Sequence, residues 1–159
     1  FIRGGAIFAG AVYSKVANTY LNKNLSQEKV LTVASTARRA SRYDPLEGKY
    51  SFALGSAQVF LHQPKEALSS FIEAADKDPL SGIYLQRLAL MLTTVDKNAA
   101  EKLMPIAYAR ALNKDSLILT WAEWLLSMNE RKKAVKMLKQ VFAGNPQLVS
   151  KFMPFIMGY

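Results

Sequence analysis

The chain has 159 residues, half of them hydrophobic, with 21 Lys and Arg against 12 Asp and Glu for a formal net charge of +9. That length and balance suit a folded chain with its own core, and exclude a disordered polar tail. There is no cysteine and one histidine, His62, so disulfides, thiolate zinc sites, thiol catalysis and any triad needing more than one imidazole are excluded.

The first element in chain order is an apolar stretch from Gly4 to Val16, which Lys15 interrupts and Asn18 follows. It falls short of the roughly 20 residues that span a bilayer. Because residue 1 is Phe, not Met, the chain reads as a piece of a longer polypeptide, with possible membrane proximity through whatever precedes Phe1. Helical spacing starts here, with Ala9, Val12, Tyr13, Val16, Ala17 and Tyr20 on one face of a first helix.

Seven more helices follow by the same spacing. Val30, Val33, Ala34, Ala37 and Ser41 mark the second; Tyr50, Ala53, Leu54, Ala57 and Leu61 the third; Ala67, Leu68, Phe71, Ile72 and Ala75 the fourth. Pro64 suits the first turn of that fourth helix, where a missing N–H leaves no bond unmade. Leu85, Leu88, Leu92 and Val95 give a fifth, and Ala100, Leu103, Met104, Ala107 and Ala111 a sixth, in which Pro105 predicts a kink or a late start. Leu117, Trp121, Trp124, Leu125 and Met128 line a seventh, with the tryptophans read as core rather than a stacking platform. Ala134, Leu138, Val141 and Phe142 line an eighth. The apolar ending Phe152 to Met157 is expected to fold back as a cap.

The helices come with a repeat. Asp44-Pro45-Leu46-Glu47-Gly48-Lys49-Tyr50 recurs as Asp78-Pro79-Leu80-Ser81-Gly82-Ile83-Tyr84, displaced by 34 residues, and the period continues to Asn113 and Pro146. Within the second unit, Leu54-Gly55, Ala67, Phe71, Ala74 and Pro79 stand at positions that resemble a tetratricopeptide repeat (TPR). Ser51 and Gln58 depart from that pattern, standing where Trp and Tyr are expected. The fourth unit repeats part of it with Ala122, Ala134, Leu138 and Pro146, while the first and third match poorly.

The resemblance implies an all-α, TPR-like right-handed solenoid of about four antiparallel helix pairs. It makes residues 1–159 a single repeat domain, with units at about 6–45, 46–79, 80–115 and 116–146 and a capping segment at 147–159. It further implies a non-catalytic scaffold for a protein or peptide partner. The concave groove of such a scaffold maps to Lys49, Phe52, Ser56, Gln86, Leu90, Thr93, Leu119 and Glu123. The carboxylate clamp of TPR chaperone adaptors is not reproduced, since Phe52 and Ser56 stand where Lys and Asn are expected.

The order of apolar stub, helix and repeat is also similar to the soluble region of bacterial O-antigen ligase and polymerase membrane proteins. That resemblance implies an accessory domain on the periplasmic side of the cell envelope, against a cytoplasmic scaffold. Neither reading calls for a cofactor, a metal or a catalytic residue. The basic residues, densest at Arg38, Arg39 and Arg42 and from Arg131 to Lys139, are read as solvated helix faces. No motif for specific nucleic-acid binding accompanies them.

Overall fold

The computed structural model describes residues 26–150 apart from Asn113. The expected first helix and the apolar ending at Phe152 to Met157 lie outside the described residues. Among those described there are seven long helices and no strand: α1 (Gln27–Tyr43), α2 (Gly48–Phe60), α3 (Pro64–Lys77), α4 (Gly82–Leu92), α5 (Lys97–Arg110), α6 (Lys114–Ser127) and α7 (Arg131–Gly144). They correspond to the second to eighth predicted helices, and the fold is TPR-like. A further helical stretch occupies residues 147–150.

Local chemistry places the ends. Ser26 caps α1 by accepting from the Lys29 amide at 3.4 Å. Asp96 caps α5 by accepting from the Ala99 amide at 3.0 Å. Pro64 opens α3, and Asp44 and Asp78 close α1 and α3 just ahead of Pro45 and Pro79, which cannot continue a helix. The turn from α2 to α3 is rebuilt 67 residues later between α6 and α7. His62 and Asn129 both take left-handed backbone, at φ 58° and 62°. The amides of Gln63 and Glu130 then reach back to the carbonyls of Gln58 and Leu125 at 2.9 and 2.8 Å. This closes the helix end as a Schellman motif does, and it gives the lone histidine a structural task at an exposed turn.

The chain falls into two compact units, one ending at Ala107 and the other beginning at Tyr108. No linker composition announces this division, because it falls inside α5. In the first unit, α2 packs against both α1 and α3, and α3 against α4. Val30 and Ala34 of α1 meet Ala57 of α2, with Val33, Leu54 and Leu61 around them. In the second unit, Ile118 and Ala122 of α6 meet Leu138 of α7, flanked by Tyr108, Met137, Val141 and Phe142.

Small residues recur where helices approach. A Cβ on Gly55 would come within 3.0 Å of the Phe71 ring and 3.2 Å of Ser70, so only glycine lets α2 and α3 lie this close. Its repeat equivalents Ala89 and Ala122 are both 0% exposed. On the second helices, buried Ala67, Phe71 and Ala74 recur 33 residues later as Ala100, Met104 and Ala107, also buried. The third unit therefore follows the repeat after all, with its second helix set one residue earlier than a strict 34-residue period places it.

Several side chains stand elsewhere than the sequence reading put them. Val95 is in the turn after α4 and 70% exposed, because α4 stops at Leu92. Ile72 is 41% exposed, the Phe71 ring having taken the inward position beside it. Helix α5 starts at Lys97 and runs through Pro105, which sits on its exposed side. Trp124 is buried, while Trp121 is half-buried with its ring 5.7 Å from that of Tyr108.

Candidate functional site

Lys49, Phe52 and Ser56 stand on α2, and Gln86 and Leu90 on α4, with Thr93 capping α4. The two helices touch. The Phe52 ring stacks on Tyr84 with centroids 4.8 Å apart and lies tilted against Phe71 at 5.6 Å. Gly48 permits this approach, since a Cβ there would meet the Tyr84 ring at 3.1 Å. The first helices of the second and third repeats are thus held together by an aromatic triplet that joins Phe71 of α3.

Phe52 is half-buried, partly exposed as the repeat pattern implies, and its ring also packs on Tyr84 and Phe71. Ser56 and Gln86 depart from the expected exposure, at 8% and 4%. Their positions in the repeat are those of a groove, but the neighbouring helix covers a side chain on α2 or α4 when it packs this closely. Lys49 and Leu90 are half-buried, and Ile83, absent from the predicted set, is 46% exposed on α4. The hydroxyl of Thr93 donates to the Ala89 carbonyl at 3.2 Å. Leu119 and Glu123 belong to α6 in the second unit, where Glu123 is exposed. The side chain of Leu119 lies outside what is described.

The polar groups of this region divide in two. Ser51 and Gln58, which replace the pattern's Trp and Tyr, both have partners across the α2–α3 interface. Lys77 Nζ donates to Ser51 Oγ at 3.1 Å while also pairing with Glu73 at 2.6 Å, and the Ser70 hydroxyl donates to Gln58 Oε1 at 2.6 Å. Gln86 Nε2, by contrast, is buried with no hydrogen-bond partner among the described residues. An unmade hydrogen bond at a buried amide costs on the order of 1–3 kcal/mol.

Lys49 holds its charge firmly. Its partial burial alone would lower the pKa, but the hydrogen bond to Glu47 at 3.1 Å and the negative charge of Glu47 outweigh that and raise it above 10.5. Its ammonium also lies 5.1 Å from the centre of the Tyr50 ring. Among the described residues no group of three His, Asp or Glu side chains could hold a metal ion, and no helix is long and apolar enough to cross a membrane.

No protein-family model and no curated protein matches the chain. Solved structures do. The crystal structure of MamA is similar over 93% of this chain and 94% of its own, at 16% identity and a TM-score of 0.59. The type III secretion translocator chaperone SycD of Yersinia enterocolitica, in an alternative dimer, is similar over 86% of this chain and 92% of its own, at 18% identity and a TM-score of 0.52. The CopN–Scc3 complex contributes a chain similar over 81% of this one and 68% of its own, at 18% identity and a TM-score of 0.53. At these identities the likeness establishes the TPR-like fold. None of the three is described as a glycan ligase or polymerase, so the membrane-enzyme alternative rests on the order of segments in the sequence alone.

Proposed function

We propose that the chain is a non-catalytic scaffold that holds an extended segment of another protein against the face formed by α2 and α4. The observation that carries this reading is the amide of Gln86, buried with no hydrogen-bond partner among the described residues at a groove position of the repeat, on a helix fixed to its neighbour by the Phe52–Tyr84 stack. A main-chain carbonyl of a bound segment is the acceptor such a donor lacks, reached when the side chains that cover Gln86 part to admit it, and the half-buried Leu90 and exposed Ile83 on α4 offer apolar contact beside it. Further support comes from proteins with this fold: SycD is a chaperone for translocator proteins, and the CopN–Scc3 chain was solved in a complex. The sequence agrees in what it lacks, having no cysteine and a single histidine that serves a turn.

The test starts from peptides selected on the immobilised chain from a random library. Ile83→Asp and Leu90→Asp should each weaken a selected peptide by about fivefold or more, the scale at which interface residues matter, while the melting curve stays close to the parent's. Selection of no peptide, or of peptides indifferent to both changes, would remove this face from consideration.

A further inference from the structure

The second unit carries a surface that the α2–α4 reading does not use. Helix α7 holds five cations, Arg131, Lys132, Lys133, Lys136 and Lys139, and no acid. Its Ala134 and Leu138 are buried against α6, which turns Lys132, Lys136 and Lys139 outward within an arc of about 60° and along about 10 Å of the helix. The nearest acid, Glu130, pairs with Lys133 at 3.2 Å, leaving Arg131, Lys132, Lys136 and Lys139 without an ion-pair partner among the described residues.

Keeping these charges together is unfavourable. Like charges spaced three or four apart on a helix repel, and cations in its first turn face the positive end of the backbone dipole. Nothing in the packing of α6 on α7 requires them. Arg131, Lys132, Lys136 and Lys139 line an open, shallow recess of about 850 Å³ together with Asn129, Glu130, Val135 and Gln140, and Val135 is 41% exposed among them.

We infer that this recess docks a short acidic protein segment, whose carboxylates meet Lys132, Lys136 and Lys139 and one of whose apolar side chains rests on Val135. Charge complementarity selects an anionic occupant. The exposed Val135 beside the cations selects a peptide, which carries apolar side chains next to its carboxylates, over the other polyanions. A bilayer takes up a helix through an apolar face, which α7 buries at Ala134 and Leu138, and nucleic acid would leave Val135 facing phosphates with no aromatic ring among the lining residues to stack a base.

The probe is a fluorescent peptide of repeated Glu-Glu-Leu, followed by anisotropy at low and physiological salt. It is compared with its Gln-Gln-Leu counterpart, phosphatidylglycerol vesicles and a single-stranded oligonucleotide. The triple variant Lys132→Gln, Lys136→Gln, Lys139→Gln is set against Lys29→Gln, Lys65→Gln, Lys102→Gln, which removes the same charge from exposed sites in the first unit. Circular dichroism first establishes that both are folded. The expected result is saturable binding of the acidic peptide alone, weakened about tenfold or more by the α7 triple and less than twofold by the other. Equal losses in both variants, no saturable binding, or tighter binding of vesicles or oligonucleotide than of peptide would each overturn the proposal. Because the α2–α4 face is untouched by either triple, failure here leaves the peptide-groove reading to its own test.

Discussion

The second and third repeats open with nearly the same residues, yet they treat their buried polar groups differently. Between α2 and α3, Ser51 and Gln58 replace two aromatic residues of the TPR pattern, and each is answered within the repeat, by Lys77 and by Ser70. On α4 the buried Gln86 amide finds no partner among the described residues. A repeat that closes its own hydrogen bonds reads as framework, and one that leaves a buried donor open reads as a place where another chain completes the structure.

The largest effects should come from the framework positions that the two repeats share. Phe71 is 1% exposed against Phe52 and Gly55 of α2, and Phe71→Ala should lower stability by about 3–5 kcal/mol in chemical denaturation. Its equivalent Met104 is 0% exposed, and Met104→Ala should cost about 2–5 kcal/mol. A loss under about 1 kcal/mol at Met104 would mean that the third repeat does not follow the register of the second. Gly55→Leu should destabilise by about 1–3 kcal/mol or more, because the Phe71 ring it would strike is itself enclosed.

The next effect is smaller and polar. Ser70→Ala removes the donor to Gln58 and leaves a buried carbonyl oxygen unanswered, so it should cost about 1–3 kcal/mol. If Ser70→Ala is neutral, the contrast between a satisfied Gln58 and an unsatisfied Gln86 loses its energetic meaning.

Much of the framework could be read from the sequence because helical spacing and the 34-residue recurrence are both properties of a chain in one dimension. Pro64, Pro79, Gly55, Ala67 and Phe71 carry their reasons with them, each being the residue type its place requires. The third repeat was harder to see: its second helix comes one residue early, so aligning by a constant 34 puts Glu101 and Pro105 where Ala100 and Met104 pack. Ile118, 1% exposed, was missed among so many apolar residues on α6. The candidate face was the least legible. Repeat position says which way a residue points but not how closely the next helix covers it, and the stacking of Phe52 on Tyr84 depends on a pair of residues 32 apart.

The central claim is that the buried amide of Gln86 is kept for a partner, and Gln86→Leu tests it by two readouts on one protein. Leucine nearly matches glutamine in volume and has nothing to desolvate, so the variant should be as stable as the parent or more stable by up to about 3 kcal/mol. The same variant should bind peptides selected on the parent about tenfold or more weakly, the worth of one well-made hydrogen bond in a site closed to water. Gained or unchanged stability together with lost binding is the predicted result. Undiminished binding, or a clear loss of stability, would contradict it, placing Gln86 among the structural side chains of α4.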